Sequence, residues 1–165
     1  MRLEDGRYGD QKYLDDWPTR FKNVVVLQHQ GAGLAPWNLA GHSIFKQGKR
    51  LFLDGDTPLI FYHFHRFKMV ADQIFAHGTE IYARDFDANR LTYNHVRYLY
   101  IPYAQAVEKY QKAVTGRHPD ARIFYKKAPL IQLLYRLAKG NYLLNRDHFI
   151  NHLIVSASLW RVLQH

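Results

Sequence analysis

The chain has 165 residues, of which 47% are hydrophobic, with Tyr 12, Phe 10 and Trp 3 among them. That is enough for one packed domain and too apolar and aromatic for a disordered segment. There is no cysteine, which excludes disulfides, thiolate-bound zinc and a thiol nucleophile and fits a reducing cytoplasm. The net charge of +9 is unevenly placed: residues 1–83 carry 10 Lys/Arg against 9 Asp/Glu, and residues 84–165 carry 13 against 5. Such asymmetry favours an anionic partner, a phosphorylated substrate, an anionic lipid surface or nucleic acid, with a merely solvated basic face as the competing reading. The first six residues lack the apolar stretch of a signal peptide, and charges interrupt every apolar run short of a membrane span, so neither is expected.

In chain order, residues 10–17 read as a short helix ended by Pro18, whose ring disfavours helix in the residue before it. Val24-Val25-Val26-Leu27 is a brief β-branched run suited to a buried strand. Gly31-Ala32-Gly33-Leu34-Ala35-Pro36 reads as a loop. Residues 50–53 and 59–65 form a hairpin across Asp54-Gly55-Asp56, because Asp-Gly is a strong turn signal. From about residue 84 the texture becomes helical. Tyr103, Ala106, Val107, Tyr110, Ala113 and Val114 follow helical spacing behind Pro102. Leu130, Ile131, Leu133, Leu134, Leu137 and Ala138 form a second stripe, opened by Pro129 and closed by Gly140. A third helix is predicted from an Asp147 cap onward. The organisation is a β-containing segment, 1–83, followed by a basic helical extension, 84–165.

Several residues carry candidate chemistry. Asp10 and Gln11 set a carboxylate beside a carboxamide, a pair able to hold adjacent sugar hydroxyls, although most such pairs are surface residues or caps. His63 and His65 stand two apart on an expected strand, so both project to one face with Tyr62 and Phe64 on the other. Two imidazoles there can share a metal or divide metal and phosphate between them, or can be partly buried structural histidines. Asp54-Gly55-Asp56 matches an Asp-x-Asp cation pattern, although the hairpin turn accounts for it. Trp37-Asn38 can offer an aromatic face and an amide to a sugar ring, or anchor the loop. Tyrosines alternate with Arg and Lys over residues 97–110, but helical spacing turns most of those rings toward a core.

Taken in order, Gly9-Asp10-Gln11-Lys12-Tyr13-Leu14, Leu34-Ala35-Pro36-Trp37-Asn38 and Pro58-Leu59-Ile60-Phe61-Tyr62-His63-Phe64-His65 resemble the C-terminal part of glycosyltransferases related to glycogenin and the lipopolysaccharide galactosyltransferases. The resemblance covers residues 8–68. It implies an α/β fold, a partial GT-A (nucleotide-diphospho-sugar transferase) fold with a few short strands and a mostly helical C-terminal extension. It also implies metal-dependent transfer of a sugar from a nucleotide-diphosphate donor to a saccharide or lipid-linked acceptor, with Mn²⁺ or Mg²⁺ as cofactor. By that resemblance Asp10 and Gln11 contact the donor sugar, Trp37 and Asn38 line the substrate site, and His63 completes the metal site. His65, Arg66 and Lys68 are further substrate-binding candidates. Arg66 stands where the family has glycine, and the Lys-Pro-Trp that follows in the family is absent.

The nucleotide-binding half of such enzymes lies upstream of the Asp-Gln pair, where this chain has nine residues. The expectation is therefore a truncated relative, inactive in isolation, whose longer parent is a hexosyltransferase of cell-surface polysaccharide synthesis. Its expected location is the cytoplasm, with the basic extension touching the anionic inner membrane face. The alternative is a non-enzymatic basic adaptor that binds nucleic acid or anionic membrane through residues 84–165, for which no nucleic-acid fold signature is present.

Overall fold

The structure is a computed structural model that describes residues 11–71, 73–82, 91–117 and 129–145. It is a mixed α/β arrangement of two small antiparallel sheets and a long interrupted helix. The first sheet has the order β1 (Ile44–Gln47), β2 (Arg50–Leu53), β3 (Thr57–Pro58), and the second β4 (Lys68–Ala71), β5 (Ile74–Ala76), β6 (Tyr142–Leu144). No helix among the described residues is long and apolar enough to cross a membrane.

The Asp-Gly turn forms as expected. Leu53 pairs with Thr57 across it, and both Asp54 (φ 52°) and Gly55 (φ 113°) occupy the left-handed region. Its carboxylate is committed to the turn: Oδ1 accepts from the Ser43 amide at 2.7 Å, and Oδ2 lies 2.6 Å from His42 Nδ1. Those bonds, that to His42 first, hold the Asp54 pKa below the ordinary carboxylate value. The expected second arm is shorter than a strand over 59–65. Regular pairing ends at Pro58, and beyond it there is a single parallel bridge, Tyr62 to Leu34. A hairpin absent from the sequence reading precedes it, β1 to β2, closed by Gly48 (φ 58°) and Lys49.

Three further expectations are corrected. Residues 11–14 form a 3-10 turn, and Pro18 sits inside the first turn of α1 (Trp17–Arg20) instead of ending a helix, since a missing N–H costs nothing there. Residues 24–27 carry no strand. Val25, Val26 and Leu27 are 79%, 57% and 75% exposed, and no neighbouring strand among the described residues meets their backbone. The helix assigned to Pro102 begins nine residues earlier, at α2 (Tyr93–His95), and passes through a π-helical turn, Val96–Tyr100, into α3 (Ile101–Arg117). The wide turn falls where the Pro102 ring would collide with the carbonyl four residues back. By contrast, α4 (Leu130–Ala138) starts after Pro129 and is closed by Gly140 (φ 74°), as expected. The helix expected from Asp147 lies outside the described residues.

Residues from both sides of position 83 share one core, including Leu34, Leu39, Ile44, Leu53, Tyr62, Phe75, Val96, Tyr100, Ile101 and Leu143. Within it the Tyr62 and Tyr100 hydroxyls bond at 2.6 Å, and burial pushes both phenols above their ordinary pKa. Two buried imidazoles tie the elements together. His95 Nε2 donates to the His42 carbonyl (2.7 Å) while its Nδ1 accepts from the Thr92 amide (3.0 Å), completing a capping box at the start of α2. His77 Nε2 donates to the Gly140 carbonyl (2.7 Å), and its Nδ1 accepts from the Thr79 hydroxyl (2.8 Å).

Burial lowers the pKa of both His77 and His95. The folded chain thus binds fewer protons than the unfolded chain once pH falls below the ordinary histidine value, about 6.5. Stability is expected to be intact above that pH and to decline as pH drops through the window beneath it. Thermal midpoints compared between about pH 7.5 and about pH 5 should show the fall, and equal midpoints would contradict it. A second expectation concerns Gly31, where an added Cβ would lie 1.9 Å from the Pro58 carbonyl oxygen, whereas one at Gly33 meets nothing. Gly31→Ala should cost about 1–3 kcal/mol in denaturant unfolding and Gly33→Ala well under 1 kcal/mol.

Candidate functional site

The loop after residue 30 is docked on the segment after β3 by backbone hydrogen bonds and by the shared burial of Leu34 and Tyr62. The Gly31 carbonyl accepts from both the Ile60 and Phe61 amides (2.9 and 3.0 Å), and the Leu34 carbonyl accepts from the His63 amide at 2.8 Å. This parallel docking brings Trp37 over His63 and His65. The indole lies 5.6 Å from the His63 ring and 5.9 Å from the His65 ring, centre to centre, and the two imidazoles stack 5.6 Å apart. Trp37 remains 47% exposed; His63 is exposed and His65 half-buried.

The expected alternation along residues 62–65 holds although no continuous strand forms. Tyr62 is buried in the core, and Phe64 packs on it and stacks flat on Tyr103 at 3.7 Å. The imidazoles emerge together on the opposite face, with the His65 amide donating to the His63 carbonyl (2.8 Å) in a tight turn where a ladder would otherwise run. The tyrosines of residues 97–110 divide: Tyr100 is buried, Tyr103 covers Phe64, and Tyr110 is 67% exposed.

Asn38 stands beside Trp37 with both ends of its amide engaged in the loop. Its Oδ1 accepts from the Ala35 amide (2.8 Å), and its Nδ2 donates to the Gly33 carbonyl (3.1 Å). Its visible work is thus to set the turn that presents the indole. Arg66 and Lys68 are exposed, Arg66 at a left-handed position (φ 58°) and Lys68 at the start of β4. Gln11 opens the 3-10 turn Gln11–Leu14, and Asp10 lies outside the described residues.

Two contributors were missed in the sequence. Tyr82 closes the aromatic group, 5.8 Å from Trp37 and 6.1 Å from His65. Gly78 (φ 81°) allows the segment carrying Tyr82 to approach the His65 carbonyl, from which a Cβ would lie only 2.5 Å. An isolated glycine directly behind an apolar run is a recognisable sign of close backbone approach, whereas nothing local marks Tyr82. Glu80, on the same 3-10 turn (Thr79–Tyr82), points inward: its Oε2 is buried, 3.8 Å from His77 Nδ1, and accepts no hydrogen bond.

What the surface offers chemically is a half-exposed indole and two accessible imidazoles, with the exposed cations Arg66 and Lys68 following His65 in the chain. No group of three or more His, Cys, Asp or Glu side chains able to hold a metal occurs among the described residues. Asn38→Ala should cost about 1–2 kcal/mol and change Trp37 fluorescence, because it removes both loop bonds. His63→Ala, at an exposed position, should shift stability by no more than about 0.5 kcal/mol. Equal unfolding midpoints for the two variants would contradict this division of roles.

Two relatives in Bacillus subtilis (strain 168) are similar to the chain. Uncharacterized protein YfnD is 32% identical over 120 residues, which are 73% of this chain and 36% of YfnD. Uncharacterized protein YfnF is 36% identical over 67 residues, 41% of this chain and 22% of YfnF. The chain thus spans about a third or less of the length of the curated relatives it matches. No family model and no solved structure matches it.

Proposed function

We propose that this chain is part of a nucleotide-sugar glycosyltransferase, and that the Trp37, His63, His65 and Tyr82 surface is the sugar- and phosphate-facing wall of its site. One observation carries the reading: an exposed indole and two accessible imidazoles, 26 residues and more apart in sequence, meet on one surface with cations at Arg66 and Lys68 close behind in the chain. The order of the three motifs from Gly9 to His65 supplies the family expectation, including the GT-A fold. The bare Val25-Val26-Leu27 run fits a strand that the rest of a longer protein would cover.

In glycosyl transfer the bond from the anomeric carbon to the donor phosphate breaks, and a bond to an acceptor hydroxyl forms as that hydroxyl loses its proton. Negative charge collects on the departing diphosphate, so Arg66 and Lys68 would act by offsetting it. Trp37 and Tyr82 would hold a sugar ring by its apolar face. A divalent cation fits only as a shared ligand set: His63 offers one nitrogen, and the other ligands would be phosphate oxygens and groups elsewhere in a longer chain. When bound, such an ion supplies Lewis-acid stabilisation of the leaving diphosphate.

The test uses a protein of the relatives' length that carries this chain. A nucleoside diphosphate titrated with Mn²⁺ should bind saturably, and His63→Ala should weaken it about tenfold, near 1.4 kcal/mol. Trp37→Ala should lower transfer to a saccharide acceptor more than it lowers nucleotide binding. Nucleotide binding indifferent to both Mn²⁺ and His63→Ala would end this reading.

A further inference from the structure

A concave surface lies outside the Trp37 cluster. A cleft of about 510 Å³ opens between the β1–β2 hairpin and the helix that runs on from residue 96. Three of its walls are cationic: Lys46 from β1, Lys49 from the tight turn, and Arg97 from the π-helical turn. No carboxylate lines it. All three cations are exposed, and none makes an ion pair among the described residues.

The arrangement is built by the fold. Gly48 in the left-handed region (φ 58°) folds the turn so that Lys46 and Lys49 border the same space. The Arg97 guanidinium rests over the Tyr93 and Tyr98 rings, 5.8 and 5.4 Å from their centres. Aromatic faces hold the guanidinium without neutralising it, so its donors stay available. Half-buried Leu51 and exposed Pro102 add an apolar surface to the same cleft, with buried Ile101 beneath them. The nearest acid along α3, Glu108, is occupied with Lys112 (2.6 Å) and Asn145 (2.6 Å).

Like charges gathered around one hollow repel, and a multiply charged anion relieves all three at once. A phosphate ester carries close to two negative charges, and its oxygens suit both the planar fork of arginine and the point charges of lysine. We propose that this cleft binds the phosphate of an amphiphilic ester, its head among Lys46, Lys49 and Arg97 and its apolar stem along Leu51 and Pro102. The proposal stands whether or not the chain takes part in sugar transfer.

Calorimetric titration of the intact chain tests it, with octyl phosphate and inorganic phosphate as probes. Octyl phosphate should bind about tenfold more tightly than inorganic phosphate, because only it can cover the apolar surface. The double variant Lys46→Gln/Lys49→Gln should weaken it about fivefold or more without moving the melting temperature, and Arg97→Gln should weaken it as much while the chain stays folded, with a small drop in melting temperature from the lost ring contacts. Lys109→Gln, outside the cleft, should change nothing. Phosphatidylcholine vesicles with and without phosphatidic acid form the second arm. Capture that needs phosphatidic acid and falls in the cleft variants points to a lipid source, and binding to octyl phosphate alone points to a free ester. Failure of both probes to bind, equal affinity for octyl and inorganic phosphate, or indifference to the cleft substitutions would overturn the proposal.

Discussion

The close approach of Gly31 to Pro58 is the constraint on which the candidate site depends. One carbonyl, that of Gly31, takes two successive amides, Ile60 and Phe61, and three residues on the Leu34 carbonyl takes the His63 amide. Such an approach is open only to a residue without a side chain, since a Cβ would run into the Pro58 carbonyl. Everything that gives the surface its character follows from that docking. Trp37 is carried over the histidines, Leu34 is buried against Tyr62, and the Asn38 amide fixes the turn between them. Gly78 repeats the device on the other flank, where its missing side chain lets the turn that carries Tyr82 close on His65.

The histidines divide by environment. His77 and His95 are buried, each with one ring nitrogen donating to a carbonyl and the other accepting, so their tautomers are set by structure. They act as cross-braces: His95 ties the helix start to the chain entering β1, and His77 ties β5 to the end of α4. His42 adds a third brace, from its ring to Asp54 and from its carbonyl to His95. Among the described residues, only His63 and His65 pair with each other beside an exposed indole. That contrast sets them apart as surface chemistry while the braced imidazoles serve the fold.

Legibility in the sequence followed the range of the interactions involved. The Asp54-Gly55-Asp56 turn, the limits of α4 and the opposite facing of His63/His65 and Tyr62/Phe64 are encoded within a few residues, and all appear. The Val24-Val25-Val26-Leu27 run shows the opposite. Its composition favours a strand, but a strand exists only where another chain segment takes up its backbone groups, and the described residues supply none. Pro102 misled for a related reason. A proline suits a helix start, yet a π-helical turn lets it sit inside a longer one. Charge counts placed the basic excess after residue 83, while the basic cleft takes two of its three cations from before it.

The sequence by itself determined the mixed α/β character, the turn residues, the ends of α4 and the common facing of His63 and His65. Each of these rests on local backbone preference or on the two-residue period of extended chain, which neighbours in sequence carry in full. Tertiary structure alone decided that Tyr82 joins them, that Asn38 spends its amide on the loop, and that Lys46, Lys49 and Arg97 border one hollow. Those outcomes require segments up to some fifty residues apart to meet. Which segments meet is settled by the shared burial of Leu34, Tyr62, Phe75 and Tyr100 and by where a glycine lets two backbones touch, and neither can be read from any single stretch of chain.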